Sequence, residues 1–438
     1  MMKLLTLVSC TALSFASPAN AADKSIGVLP EPKMTENVLG SVPAAPPYPA
    51  WDMFAQQIRD MWPRIYAHVA PRLRDDHQAR AEVARLMMAA ISEETLEAIG
   101  ADGDHPVFLP HIGMILNLGQ PNADTVYRSA KITPGGTYRL RGTMGSLPIF
   151  KMAQLGLTPD QTGGGVNALG YDDFAKLHTD ANGRFDVILS PAKPEGYSGD
   201  WWRLDPKTAS LLVRQVSADW GKERDPTISI ERTDVPVERK RVAAAELERR
   251  MANVPRMAYN FAAFLVDHVE GLRRDGYINK LRIFDVTNGT ALVGQFYYEG
   301  AYDLRPDEAL IVESKMPAKC GYSSLILTND IYETTDWYNN LSSLNGSQVH
   351  VDPDGMLRIV VSAKDPGVPN WLDTAGYPSG AIQGRWTDCD SQPVPTVRKV
   401  AVADVRKLLP QGTLVVSPTD REKQIRDRRS ALQQRPLW

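Results

Sequence analysis

Two polar-aromatic runs toward the C-terminus carry the side chains whose types and spacing best suit chemistry. The first reads Tyr332-Glu333-Thr334-Thr335-Asp336-Trp337-Tyr338-Asn339-Asn340, and the second spans Asp365 to Tyr377 with Asn370, Trp371 and Asp373 inside it. Aromatic faces beside amides and carboxylates can stack on the apolar face of a ring while hydrogen bonds fix its substituents, so a small glycan or oxygenated ring compound is the expected ligand. Trp337 and Trp371 would form the platform, with Asn339, Asn340, Asn370 and Gln383 as further substrate-binding groups. Asp336 and Asp373 would divide acid and base roles, as paired carboxylates do when their surroundings split their pKa values. Tyr338 or Arg385 would stabilise developing charge, Arg385 by clamping a carboxylate or orienting Asp336. The competing reading is structural: Asp is a favoured turn and cap residue, and these aromatics could simply fill the top of a barrel.

These runs work together only if strand order brings them together. If Ser323 to Thr328 runs up, Asp330 to Ser347 lies at the top, Gln348 to Val351 runs down, and Pro353-Asp354-Gly355 turns at the bottom. Leu357 to Ser362 then runs up again. Ala363 to Gly380 therefore lies at the top too, because alternate loops of an antiparallel meander share an end. Gln383 and Arg385 fall on one face of a closing strand, Ala381 to Trp386, with Trp386 on the other.

The first half offers smaller polar groups: Asn122, Asp124, Tyr127 and Arg128; Trp201, Trp202 and Arg203; Arg214, Gln215, Asp219 and Trp220. Each reads first as a turn anchored by local hydrogen bonds and second as a contributor to an interdomain cleft. No Walker loop, dinucleotide glycine fingerprint, Gly-x-Ser-x-Gly elbow or His-Glu-x-x-His helix is present. The seven histidines are scattered, and His268 falls on an apolar helical face where a satisfied core histidine is the expectation. No metal and no cofactor is expected.

The 438 residues are 43% apolar and 23% charged, with a net charge of −3, an ordinary globular composition without a positive field to attract nucleic acid. Lys3, the apolar run Leu4 to Ala16 and Ala19-Asn20-Ala21 read as an export signal, giving a periplasmic or secreted protein whose mature chain begins at Ala22. Leu7-Val8-Ser9-Cys10 offers a fainter, lipoprotein-like alternative. No later stretch approaches the roughly 20 apolar residues of a membrane span. After cleavage Cys320 and Cys389 remain, and in an oxidising compartment they are expected to pair, free buried thiols being the alternative.

The predicted fold is α+β and mainly β: two antiparallel β-sandwich or barrel-like modules with accessory helices. Residues 1–21 are the signal, 22–50 a Pro-rich extended arm, and 51–235 a helical hairpin plus the first β module. Residues 236–280 are a connecting helix, and 281–438 a second β module with a C-terminal helix. Pro63 is expected to kink or split the first helical pattern, and Asp76 to Ile99 forms the second. Asn288-Gly289 is the strongest hairpin signal, since both residues accept positive φ.

Several motifs resemble one bacterial family. Gly294-Gln295-Phe296-Tyr297-Tyr298-Glu299-Gly300-Ala301-Tyr302, Pro306 to Leu310, Thr335-Asp336-Trp337-Tyr338-Asn339, Asp352-Pro353-Asp354-Gly355 and Pro369-Asn370-Trp371-Leu372 resemble the domain of unknown function 1214. Asn122-Ala123-Asp124-Thr125-Val126-Tyr127 is similar to an element of its companion, domain of unknown function 1254. The resemblance covers about 115–435, is densest from Leu281 to Trp386, and thins between Met144 and Ser198. It implies two β-sandwich or barrel-like modules, often exported, and assigns no catalytic residues.

The functional expectation is an exported soluble enzyme, a metal-independent hydrolase or lyase. The alternative is a non-catalytic periplasmic ligand-binding or envelope-interaction protein, and a purely structural subunit is a third option. Substrate identity and oligomeric state are not legible.

Overall fold

A computed structural model describes residues 43–157, 166–284 and 294–436. The expected export signal, most of the expected arm and the Asn288-Gly289 hairpin signal lie outside the described residues. The chain divides into Met1–Tyr48, of which only 43–48 are described, and Pro49–Trp438, which holds every helix and strand below.

Helices α1 (Pro49–His68), α2 (Pro71–Arg74) and α3 (His77–Gly100) come first. The first module follows: β1 (Leu109–Pro110), β2 (Thr125–Lys131), β3 (Tyr138–Thr143), β4 (Ile149–Leu157), β5 (Val166–Asp173), β6 (Arg184–Ser190), β7 (Asp200–Arg203), β8 (Thr208–Val216) and β9 (Thr227–Arg232). The long helix α4 (Ala244–Arg274) leads to the second: β10 (Arg282–Phe284), β11 (Gln295–Asp303), β12 (Glu308–Lys315), β13 (Cys320–Leu327), β14 (Ser343–Asn345), β15 (Met356–Ser362), β16 (Trp371–Asp373), β17 (Ser379–Cys389) and β18 (Thr396–Ala401). Short α5 (Val405–Leu408) and α6 (Pro418–Gln433) close the chain.

The strands form four sheets: I, in order β1-β2-β8-β4-β5; II, β7-β6-β3-β9; III, β10-β11-β17-β13-β14; and IV, β16-β15-β12-β18. Sheets I and II enclose one core around Tyr138, Phe150, Met152, Phe174, Leu211 and Val213, and sheets III and IV another around Tyr302, Ile311, Leu325, Val361, Ile382 and Trp386. A third apolar cluster joins α1, α3 and α4 to Ala301 and Ala381 on the outer face of sheet III. The fold is thus mainly β with accessory helices, as expected from the patterning.

Several details differ from that expectation. Helix α1 runs through Pro63 unbroken, because Met61 and Ile65, on either side of it, are buried in the helical cluster and packing outweighs the missing backbone donor. Asp76 caps α3 by accepting from the amides of Gln78 and Ala79, and Ser417 with Asp420 forms a capping box on α6. Gln348 to Val351 is not a strand; Val351 makes one bridge to Leu357, and the strand pairing with β13 is Ser343–Asn345 instead. The C-terminal strands are also no simple meander, since β15 and β16 belong to sheet IV and run parallel. The two long connections nevertheless meet: the Asp373 amide donates to the Leu341 carbonyl at 2.9 Å, and Ser379 Oγ donates to Asp330 at 2.5 Å. Cys320 and Cys389, register partners on β13 and β17, form the disulfide.

Candidate functional site

Strand alternation sends every second residue away from a core, and in two sheets those outward residues face one another. On sheet I, Tyr127, Arg214 and Lys151 stand side by side across β2, β8 and β4, with Leu212, Ala153 and Tyr171 in the next row. On sheet III, Tyr297, Arg385 and Ser324 align across β11, β17 and β13, flanked by Gln295, Thr387 and Tyr322 on one side and Glu299, Gln383 and Ile326 on the other. Tyr322 packs against Ile149 and Val216 of sheet I, and Lys151 Nζ reaches Asp388 at 3.1 Å, so the two faces are in contact. Where two sheets would ordinarily share an apolar layer, these share tyrosines, amides and guanidinium groups.

Arg385 is the centre of this layer. It is 4% exposed, its Nη2 donates to Gln383 Oε1 at 2.8 Å, and its guanidinium lies 5.3 Å over the Tyr297 ring. Its electrostatic neighbours are Tyr297, Tyr127, Tyr322 and Tyr332. Among the described residues its Nε–H has no hydrogen-bond partner, and neither does Thr387 Oγ1, two positions along the same face and fully buried. Burial pushes the phenols of Tyr297, Tyr322 and Tyr332 up, the last two well above the usual tyrosine range, so they remain protonated donors at neutral pH. Tyr332 is placed by strain: it has φ 62°, its carbonyl accepts from the amide of Gln120, itself at φ 58°, and its hydroxyl accepts from Gln383 Nε2 at 2.8 Å. Two buried non-glycine residues held left-handed mark a position the surrounding packing enforces.

A second constellation adjoins it. His268 on α4 brings Nε2 within 3.0 Å of Glu299 Oε2, a carboxylate fully buried on β11, while Arg282 Nη2 reaches Oε1 at 3.1 Å. The imidazole lies 4.0 Å from the Tyr332 ring and lines a groove of about 410 Å³ with His68, Phe264, Asp275 and Arg282. Sequence reasoning placed His268 among core histidines and missed its acid, 31 residues on; the available signal was Glu299, a lone acid between Tyr297 and Ala301 on one strand face.

The residues anticipated for the site are dispersed. Gln383 and Arg385 lie in the inter-sheet layer. Asp336 is occupied by its own turn, accepting from the amides of Tyr338 and Asn339 and from Asn339 Nδ2 at 2.7 Å. Trp337 is buried and packs with Tyr338 against Trp220, Ala123 and Leu432, and Asn340 is half-buried beside them in sequence. Trp371 donates its indole N–H to Ser362 beneath the Arg421 guanidinium, and Asn370 bonds the backbone of His350 and Arg358. Asp373 accepts from the Ala375 amide, and burial raises its pKa. No hydrogen bond or ion pair among the described residues joins Asp336 or Asp373 to Arg385.

Asp124, which reads in sequence as a local turn group, is a long-range hub. Buried at 2% exposure, it accepts from the Tyr322 hydroxyl at 2.6 Å, Trp220 Nε1 at 2.9 Å and Asn345 Nδ2 at 3.0 Å. From the C-terminal segment, Arg428 stacks 4.3 Å over Trp220 and Arg435 pairs with buried Asp225 at 2.7 Å. These contacts lock the modules along one edge of the polar layer.

Fold and site together define a two-module β protein with a polar-aromatic layer between its modules. No family model matches the chain, and no curated protein does. Among solved structures it is similar to an uncharacterised protein from Burkholderia cenocepacia, at 25% identity and a TM-score of 0.75 over 81% of this chain and 98% of that one. The VPA0106 protein from Vibrio parahaemolyticus, at 12% identity over 79% of this chain and all of that one, reaches a TM-score of 0.42 and carries no argument.

Proposed function

We propose that the protein is a periplasmic or secreted ligand-binding protein, taking a small oxygenated ring compound between sheets I and III. The carrying observation is the composition of that layer: protonated phenols, amides and guanidinium groups, suited to gripping a substituted ring. Acids near it are engaged, Asp124 by three donors and Glu299 by His268 and Arg282, which favours binding over acid–base turnover in the layer itself. The hydrolase or lyase reading keeps one specific support, the His268–Glu299 pair at the wall of the groove, where a buried carboxylate orients an imidazole. A thermal-shift screen against sugars, aromatic acids and steroids, followed by turnover assays on each hit, decides between them. Stabilisation without turnover is the expected result. Turnover that disappears in His268→Gln establishes the enzyme, and no stabilisation by any member rejects the binding reading.

A further inference from the structure

We infer that the site between sheets I and III takes a monoanion, and that the ligand presents a carboxylate to Arg385. The inference rests on the binding reading above and adds its charge.

Among the described residues four arginines are buried below a tenth exposure: Arg385, Arg421, Arg428 and Arg435. Arg421 is paired with Asp365 at 2.8 Å and Arg435 with Asp225 at 2.7 Å. Arg428 donates to the Trp337 carbonyl and Ser343 Oγ, with Asp124 as the acid in its surroundings. Among the described residues Arg385 alone of the four has no carboxylate partner: its electrostatic neighbours are four phenols, and the acids beyond them, Asp124 behind Tyr322 and Glu299 behind Tyr332, are bonded elsewhere. A buried charge without a counter-charge is costly, and proteins normally pair it.

The unsatisfied donors point the same way. Among the described residues Arg385 Nε–H and Thr387 Oγ1 lack partners, on one strand face two residues apart and next to protonated phenols. One uncompensated positive charge calls for one negative charge, and a guanidinium edge with an adjacent hydroxyl matches a carboxylate. Tyr297 and Tyr127 supply ring faces for the remainder of the ligand.

Matched acid and neutral pairs test this: glucuronate with glucose, galacturonate with galactose, and 4-hydroxybenzoate with 4-hydroxybenzyl alcohol, each titrated by calorimetry into the full chain, with inorganic phosphate alongside. At least one acid is expected to bind about tenfold or more tighter than its neutral twin, a charge-assisted contact's worth. Arg385→Met should erase that preference, and Thr387→Val should weaken the acid by about threefold to tenfold, one neutral hydrogen bond, while keeping the charge. Should Arg385→Met not fold, Thr387→Val and the paired titrations on wild type still decide. Neutral twins binding as tightly as acids overturns the monoanion inference and leaves the binding reading standing, and phosphate competing fully with the acid overturns its assignment to a carboxylate. No binding by any pair at about a hundred times an ordinary millimolar constant overturns both.

Discussion

If Arg385 lacks a counter-charge, its removal should barely disturb the ligand-free fold, against the rule that truncating a buried ion costs several kcal/mol. Arg385→Met keeps the unbranched stem and deletes the guanidinium. What is lost is one charge-assisted hydrogen bond to Gln383, about 1.5–3 kcal/mol, and the cation–π contact with Tyr297, up to about 2 kcal/mol. What is relieved is the effective desolvation penalty of an unpaired ion, itself several kcal/mol. The two nearly cancel, so the variant should lie within about 2 kcal/mol of wild type. Arg435→Met is the control: it strands Asp225, whose side chain is 3% exposed, and should cost about 3–5 kcal/mol. Equilibrium urea unfolding of both variants, ligand-free and at equal protein concentration, reads the contrast. Equal damage from the two would mean that Arg385 has an acid partner within the chain, and the reasoning would fail.

Other outcomes follow from the same contacts. Tyr322→Phe removes the hydroxyl that serves both Asp124 and Asn122 Nδ2, leaving buried Asp124 Oδ2 without its donor while Asn122 Nδ2 keeps Thr125; a loss of about 1–3 kcal/mol in urea unfolding is expected. Opening the Cys320–Cys389 disulfide by a double Ser substitution frees a segment with a sequence separation of 69 and should cost about 4 kcal/mol by the chain-entropy relation, read by denaturation. The Glu94 carboxyl is pushed up to about 9 by burial and then by Glu93 and Glu97, from an ordinary 4.5. A folded-state value above the unfolded one gives stability that is complete below pH 4.5 and lost as pH rises to about 9. Glu94→Gln should therefore gain on wild type across that window, by at most about 1.4 kcal/mol per pH unit, in thermal melts at stepped pH.

The legible parts of the molecule are those that one periodicity decides. β8 and β12 carry short continuous apolar runs, β17 alternates Ile382 and Trp386 with the polar Gln383, Arg385 and Thr387, and α3 announces itself by Asp76 and its apolar face, so their positions follow from local patterning. β4 and β5 escape it, because Lys151, Gln154 and Asp172 interrupt the apolar rhythm and a register shift falls at Gln154/Leu155. Lys151 faces the polar layer, whereas Gln154 and Asp172 lie on the core-facing side of the sheet and bond each other at 2.8 Å. Gln383 and Arg385 were readable as one strand face, but the partner sheet was not, since sheet I assembles from strands whose order, β2-β8-β4, no local signal encodes. Trp337 and Trp371 look alike in sequence to ligand platforms and to packing anchors; what separates them is that their indoles are covered by α6 side chains and neighbouring loops. The His268–Glu299 pair depends on α4 packing across β11, a tertiary fact.

A crystal structure of the full chain with the tightest-binding acid of the panel tests the central claim most directly. The account predicts the ligand between sheets I and III, its carboxylate within hydrogen-bond reach of Arg385 Nε and Thr387 Oγ1 and its ring against Tyr297. A ligand seated only in the His268 groove, with Arg385 instead bonded to an acid of its own chain, would contradict it.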